Sequence, residues 1–240
     1  VCGVMGLTGS DDRNVFSQLV TKGLVAENVF GLCLHHGSVS NGTLTFGGID
    51  PRLYTGNLQW VPNVVPGGFY EVSLSGGITV EGTTTPLSGV SNNAILDSGT
   101  NILLLGNEVF QSLRSTIETL CEKKTLAGVC DAQSKGANLF DKKCFPLTEE
   151  QIDEFPSLDF GLDNGVTLTM HGRDYLLAGD VRAVKQGDAS LVCLAVRNTG
   201  EGGFLIIGDT LMRNYYMVMD RSQGRVGWAP VNKDNCGSVQ

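Results

Sequence analysis

The chain has 240 residues with 41% hydrophobic and 18% charged side chains, a balance that excludes a disordered polypeptide and leaves ample material for a core. Its formal net charge is -8, and its 17 basic residues form no continuous run, which argues against nucleic acid and anionic membranes as partners. Glycine is frequent at 32 residues, which favours turns and strands, and no apolar stretch reaches the ~18 residues that a membrane span needs.

The first part of the chain predicts one helix followed by short strands. Apolar residues recur at helical spacing within 14–25. Period-two alternation, interrupted by turn residues, then predicts strands within 42–50, 58–64 and 69–82.

The second part contains the clearest helical pattern, with apolar residues at 3.6 spacing over 106–124. A hairpin is predicted within 155–170, because two alternating runs meet at Asn164-Gly165, a two-residue turn signal. Residues 211–220 predict a short helix that passes into a strand, and 224–230 predict a last strand. The sequence therefore predicts a mainly β fold with a few short helices.

One carboxylate lies between two apolar runs in AILDSGTNILLL, residues 94–105. The residues before Asp97 predict a buried strand, Ser98-Gly99 a tight turn, and Ile102–Leu105 the returning strand. Apolar surroundings and hydrogen bonds from the Gly99 amide and the Thr100 hydroxyl would act in opposite directions on the acidity of such a group, as acid–base catalysis requires. The alternative is an Asp that caps a turn through its own backbone.

A single carboxylate cannot polarise a water molecule from both sides, whereas two carboxylates that share a proton can. The other Asp-x-Gly, Asp163-Asn164-Gly165, is the predicted hairpin turn and lacks the following Thr. No partner acid is therefore identified in this chain.

The segment AILDSGT resembles the second active-site motif of pepsin-like aspartic proteases. Further segments resemble that family in the same order, namely GVMGLTG (3–9), VFSQLVTKGLVAENVFGLCL (15–34), GTLTFGGIDPRLYTGNLQWVPN (42–63) and FLIIGDTLMRNYYMVMDRSQGRVGWAPV (204–231). The resemblance implies a pepsin-like acid protease fold, a bilobal β-barrel architecture whose first lobe is incomplete here. Residues 1–55 would be the remnant of the N-terminal lobe with the interlobe strands, and 56–240 the C-terminal catalytic lobe.

The resemblance also implies roles for the residues of this motif. Asp97 would be one of two catalytic carboxylates, Ser98 would hydrogen-bond to the matching turn of the other lobe, Gly99 would allow that close approach, and Thr100 would bond to the outer carboxylate oxygen. Asn101 departs from the family's Ser or Thr, and we expect it to alter contacts with substrate.

Two further positions match the primed side of the substrate cleft, Phe69 and Ile206, for which plain core packing is the alternative. The segment Ile206-Ile207-Gly208 would pass beside Asp97 and support its loop. Asp209 would be structural and cap the helix from Leu211.

Seven cysteines without a CxxC pair favour disulfides, hence a secretory compartment. The resemblance implies the pairs Cys144 with Cys193 and Cys33 with Cys236, the latter as in the β-secretase branch. These two pairs leave Cys121 and Cys130 as a third pair, and Cys2 without a partner in this chain. Asn41 begins an Asn-Gly-Thr sequon, so we expect a glycoprotein of the secretory pathway, extracellular or in an acidic lysosome- or vacuole-like compartment.

The first Asp motif and the flap would lie before Val1, and the chain starts inside an apolar run without the features of a signal peptide. We expect a preceding segment or a companion chain from a protease processed into two chains. A dimer in which each copy supplies one Asp, and a non-catalytic protein of the same fold, are the alternatives.

The function that follows is an aspartic endopeptidase that hydrolyses peptide bonds at acidic pH and that is inactive as this chain alone. The alternative is a non-catalytic binding or inhibitor protein. The resemblance implies no metal and no cofactor. A metal site at Cys33 with His35 and His36 is disfavoured, because adjacent side chains on a strand point to opposite faces.

Overall fold

The computed structural model describes residues 4–9, 13–34, 41–85, 87, 92–133, 137–178, 189–200 and 202–237. The fold is mainly β with several sheets and short helices, as the sequence predicted. No helix in these ranges is long and apolar enough to cross a membrane.

The helices are short except for one. They are α1 (Val15–Thr21), α2 (Asn107–Thr119), α3 (Cys130–Gln133), α4 (Glu149–Asp153), α5 (Gly172–Tyr175) and α6 (Asp209–Met212), with 3-10 turns at Pro51–Leu53, Leu120–Glu122, Leu139–Asp141 and Asp163–Gly165.

The strands have three to six residues each. They are β1 (Val29–Leu34), β2 (Gly42–Phe46), β3 (Gln59–Pro62), β4 (Glu71–Ser73), β5 (Gly77–Val80), β6 (Thr83–Thr85), β7 (Asn93–Leu96), β8 (Leu103–Leu105), β9 (Cys144–Leu147), β10 (Leu158–Gly161), β11 (Thr167–Met170), β12 (Leu176–Ala178), β13 (Ser190–Leu194), β14 (Val196–Asn198), β15 (Leu205–Ile207), β16 (Tyr215–Asp220) and β17 (Arg225–Pro230).

The largest antiparallel sheet joins both ends of the chain. Its order is β2-β1-β16-β17-β3, and Phe30 pairs with Met219 where the early strand meets the late one. The hairpin of β16 and β17 forms the centre of this sheet, and Met217 opposite Trp228 is buried in the core. Strands that precede residue 55 therefore share one sheet with strands near the C-terminus.

The sheet that carries the Asp97 loop has the order β14-β8-β15-β7-β4. Here β15 runs parallel to β7 and antiparallel to β8, so it lies between the two strands on either side of the loop. The returning strand was predicted correctly, but the prediction did not include the strand inserted between the two. Three-residue strands carry too little local pattern to reveal that insertion.

The remaining described strands form the sheets β11-β10-β5-β6 and β12-β13-β9. The predicted hairpin exists as β10 and β11, but its connection is longer than two residues. Leu162 N–H donates to Val166 O at 2.7 Å, which leaves three residues in the loop. Asn164 and Gly165 both have positive φ, at 59° and 72°, so the turn chemistry was identified correctly and only the loop length was wrong.

The long helix α2 packs its apolar stripe into the main core. Val109, Phe110, Leu113 and Ile117 are buried, as the 3.6 spacing predicted. The regular helix ends at Thr119, before the predicted bound, and a 3-10 turn follows. The first helix is also shorter than predicted: Asn14 caps it by accepting from Ser17 N–H at 2.8 Å.

Three disulfides are present in the described part of the chain. They join Cys33 to Cys236, Cys121 to Cys130 and Cys144 to Cys193, the pairs that the resemblance implied. Cys2 lies outside the described residues.

Candidate active site

Asp97 stands at the end of β7, where the chain turns sharply. The turn is closed by Thr100 N–H, which donates to Asp97 O at 3.1 Å. The carboxylate accepts from Gly99 N–H at 2.9 Å through Oδ1 and from the Thr100 hydroxyl at 2.6 Å through Oδ2. Both hydrogen bonds are those that the sequence predicted, and they fix the plane of the carboxylate.

Backbone bonds from β15 and the start of α6 hold the loop from behind. Asp97 N–H donates to Ile207 O at 3.0 Å, and Asp209 N–H donates to Thr100 O at 2.8 Å. A Cβ at Gly208 would lie 2.2 Å from Thr100 O, so only glycine permits this approach. The predicted support of the Asp97 loop by the Ile206-Ile207-Gly208 segment is therefore present in the structure.

Asp209 does not cap a helix, contrary to the prediction. The N-cap of α6 is Gly208, and no side-chain cap hydrogen bond is present. The helix begins two residues earlier than predicted, which places Asp209 inside its first turn.

The Asp209 carboxyl is partly buried behind the Asp97 loop. Its Oδ1 is buried without a hydrogen-bond partner among the described residues, and its Oδ2 lies 3.8 Å from Arg213 Nη2. Burial raises the pKa of Asp209, the nearby Arg213 opposes this, and the negative charge of Asp97 adds to the rise. Asp209 is thus electrostatically linked to Asp97.

A cavity of about 660 Å³ opens beside these groups, and we call it the Asn101 cavity. Its apolar wall comes from β1, β2 and β12, and its polar wall from Asn101, from the residues that begin β2, and from the two ends of α6. The wall residues are Leu32, Cys33, Leu34, Asn41, Gly42, Thr43, Leu44, Asn101, Leu177, Asp209 and Arg213. A substrate contact at Asn101 was predicted from the sequence, whereas the leucines and Arg213 were not predicted. Alternation along the strand FGLCL (30–34) puts Leu32 and Leu34 on one face, so the sequence did contain a signal that these two leucines lie on the same side.

The other predicted cleft residues lie elsewhere. Phe69 is 54% exposed and does not pack into the core. Because Glu71 pairs with Ile95, continuing the register by two positions places Phe69 opposite Asp97. Ile206 is half-buried between Ile95 and Leu104, and it does not line the Asn101 cavity. Ser98 is exposed at the tip of the turn.

Two further predictions concern Asn41 and the adjacent pair of histidines. Asn41 is exposed, and its Nδ2 donates to Gly237 O at 3.1 Å, so the sequon lies on the surface and glycosylation stays a prediction. His35 and His36 lie outside the described residues. Across the described ranges, no three His, Cys, Asp or Glu side chains come together as metal ligands.

Comparison with known proteins gives a consistent set of matches. The profile of the eukaryotic aspartyl protease family matches residues 2–231. Pepsin A of Sus scrofa is 30% identical over 234 residues, which cover 95% of this chain and 54% of the relative. Pepsin-3 of Oryctolagus cuniculus is 29% identical and pepsin A of Suncus murinus 28%, each over 95% of this chain and 53% and 54% of the relative. The chain therefore spans about half the length of the curated relatives it matches.

Proposed function

This chain belongs to the eukaryotic aspartyl protease family, and we propose that it contributes one catalytic carboxylate, Asp97, to an aspartic endopeptidase whose second acid lies on another stretch of polypeptide. The observation that carries the proposal is the Asp97 loop itself. A carboxylate held by an amide and a hydroxyl, with backbone support behind it, has a fixed orientation before substrate arrives, which is what acid–base catalysis requires.

The reaction that fits this group is the attack of water on a peptide carbonyl. The ionised carboxylate of the pair takes a proton from the water as its oxygen bonds to the carbonyl carbon, and the protonated carboxyl gives its proton to the carbonyl oxygen. A tetrahedral diol results, with charge balanced over the two acids. The carboxyl that is now protonated then gives its proton to the amide nitrogen, while the other carboxylate takes a proton from a diol hydroxyl. The C=O bond re-forms, the C–N bond breaks, and both acids return to their starting protonation states. Because one acid must be charged and the other protonated, we expect activity at acidic pH.

Asp209 is not suited to be the second acid. Its backbone bonds to the rear of the loop, and its Oδ1 is buried, whereas a partner must face the open side of Asp97. We therefore assign the partner acid to a preceding segment or companion chain. An extended peptide is the substrate that fits, lying across the groove between the two contributions. The three disulfides support an oxidising secretory compartment, and the shared proton of the two acids is what favours an acidic one.

The test uses the purified native protein and its Asp97→Asn variant at pH 4, with a peptide substrate and with pepstatin, which mimics the tetrahedral intermediate. We expect Asp97→Asn to abolish hydrolysis, because a neutral amide can neither take a proton from water nor give one to the carbonyl oxygen. Asp163→Asn, which alters the other Asp-x-Gly, is the matched control and should leave activity unchanged.

Hydrolysis by Asp97→Asn at the parent rate would contradict the proposal. Failure of the native protein to bind pepstatin would favour the non-catalytic binding protein instead. The proposal also requires that this chain alone be inactive, so robust hydrolysis by the isolated chain would contradict the placement of the second acid.

A further inference from the structure

A second cavity lies at the other end of the sheet that carries the Asp97 loop. It has a volume of about 390 Å³, and we call it the Arg197 cavity. Its lining comes from α2, from the turn around Phe140, and from the edge strand β14 with the loop that follows. The lining residues are Phe110, Gln111, Arg114, Phe140, Asp141, Lys142, Arg197, Asn198 and Gly200.

This cavity is separate from the candidate active site. The parallel pairing of β14 with β8 sets Asn198 beside Leu105, at the end of β8 remote from Asp97. The two cavities share no lining residue. Whatever binds in the Arg197 cavity therefore binds away from the proposed catalytic group.

The Arg197 guanidinium is partly buried in this wall and forms no ion pair with a carboxylate of the described residues. Its Nη1 donates to the carbonyl oxygens of Leu194 and Val196, the latter at 3.1 Å. Nε and Nη2 make no hydrogen bond within the described chain. Burial lowers the pKa of Arg197, which shows that desolvation of its charge is not compensated by an anion. Two donors of a planar cation are thus open to an external acceptor.

The other charges of the cavity leave a positive excess. Arg114 is already balanced: its Nε donates to Glu118 at 2.8 Å and its Nη1 to Asp141 at 2.8 Å. Hydrogen bonding to Arg114 lowers the pKa of Asp141, so this carboxylate stays ionised and engaged. Lys142 is exposed at the rim and forms no ion pair in the described structure. The uncompensated charges are therefore Arg197 and Lys142, on a chain whose formal net charge is -8.

The remaining lining sets the size and polarity of a ligand. The rings of Phe110 and Phe140 are nearly buried and meet edge to face at 5.8 Å, which gives a rigid apolar floor. The volume lies at the lower end of the range for small-molecule sites. An apolar floor with a guanidinium fork and an ammonium at the rim suits a small organic anion.

We propose that the Arg197 cavity binds a small oxyanion ligand, bearing a carboxylate or phosphate group that accepts hydrogen bonds from Arg197 and an ionic contact from Lys142. Guanidinium forks match both groups in geometry. The proposal does not rest on the proposed proteolytic reaction, because the two cavities share no lining residue.

The test is calorimetric titration of the full chain at low ionic strength with citrate and, separately, with inorganic phosphate. We expect saturable binding of at least one, and the tighter of the two identifies the group as carboxylate or phosphate. Arg197→Gln should weaken binding about tenfold, the effect of one lost charge-assisted hydrogen bond. Lys142→Gln should weaken it by a smaller factor, and Lys123→Gln, which removes an exposed charge elsewhere, should have no effect.

Arg197→Gln also loses its bonds to the Leu194 and Val196 carbonyls, so its fold must be checked by circular dichroism. Arg197→Lys keeps the charge and loses the fork, and we expect an affinity between those of the parent and Arg197→Gln. Absence of saturable binding with both anions would overturn the proposal. So would binding that Lys142→Gln and Arg197→Lys both leave unchanged.

Discussion

The hydroxyl of Thr100 can donate one hydrogen bond, and it donates that bond to Asp97 Oδ2, with 2.6 Å between the two oxygens. Thr100→Val keeps the shape of the side chain and removes this donor. If Asp97 is catalytic, we expect the rate of peptide hydrolysis to fall about tenfold, the effect of one hydrogen bond to a charged group. Thr100→Ser retains the hydroxyl and should retain most of the activity in the same assay. Equal rates for Val and Ser would show that this bond does not orient a catalytic carboxylate.

Asp209 gives a pH-dependent prediction about stability. Its pKa in the folded protein is raised, mainly by burial, so the folded state keeps a proton that the unfolded state has already released. The free energy of unfolding therefore falls as the pH rises from the ordinary pKa of Asp, about 3.9 in the unfolded chain, through the raised pKa of the folded protein. Asp209→Asn removes this loss.

We expect Asp209→Asn to unfold at higher urea concentration than the parent at pH 7, and at a similar concentration near pH 3. Glu27→Gln, at an exposed carboxyl without such burial, is the control and should show no comparable difference. A variant less stable than the parent at pH 7 would mean that Arg213 outweighs the burial of Asp209.

Residues close in sequence were the easiest to predict at this scale. Both hydrogen bonds to the Asp97 carboxylate come from residues within three positions, so the motif alone contained them. Arg213 and Leu177 reach the Asn101 cavity from distant segments, and no local pattern links them to Asp97. Asp209 was assigned a capping role because helix starts are hard to locate to one residue.

Among the elements, the hairpin of β16 and β17 depends on a buried carboxylate at its turn. Burial alone would raise the pKa of Asp220, but hydrogen bonds from Ser222, Arg225 and the Gln223 amide outweigh it and lower the pKa. Arg225 Nε donates at 2.9 Å, and its guanidinium also stacks over Trp60 at 3.9 Å from the ring centroid.

Asp220→Asn should therefore destabilise the fold by about 2 kcal/mol at neutral pH, since it weakens hydrogen bonds to a buried charge. Because the pKa of Asp220 is lowered in the folded protein, the carboxylate stabilises the fold fully at pH values above the ordinary pKa of Asp. This stabilisation is lost as the pH falls through the lowered pKa. Denaturant unfolding at pH 7 and pH 3 measures this, and the difference between parent and variant should shrink at pH 3. Asp234→Asn, at an exposed position, should be neutral at both values. If parent and Asp220→Asn differed in stability by the same amount at pH 7 and pH 3, the stabilisation could not be assigned to the ionised Asp220 carboxylate.

Element type was predicted better than element connection. The α2 stripe and the β17 run are long and periodic, and both were found. The helix α4 was missed although Thr148 and Gln151 form a capping box, a pattern visible in the sequence. The pairing of β15 with both β7 and β8 depends on contacts across a large sequence separation, which local periodicity does not encode.

On the scale of the molecule, the Cys33–Cys236 disulfide closes by far the largest loop, with a sequence separation of 203 against 9 for Cys121–Cys130. In the chain-entropy account, loss of a crosslink costs about 5 kcal/mol for the first loop and about 3 kcal/mol for the second. Cys33→Ser with Cys236→Ser should therefore lower the free energy of unfolding more than Cys121→Ser with Cys130→Ser. Urea titrations of the two double variants give the comparison, and the reverse order would show that the long crosslink does not act through loop closure.

The family and the mainly β class were predicted from separated motifs, because those motifs keep their spacing along the chain. The lobe boundary after residue 55 remains a prediction. The largest sheet combines β1 and β2 with β16 and β17, so sheet membership alone does not locate it.

The position of β15 has a consequence for the order of events during translation. A ribosome releases residues 94–105 well before residues 205–209, yet the latter supply the central strand and the backbone acceptor for the Asp97 amide. The nascent polypeptide therefore carries the Asp97 loop without this support until residues 205–209 emerge. If Asp97 is catalytic, its carboxylate acquires a fixed orientation only after residues 205–209 have left the ribosome.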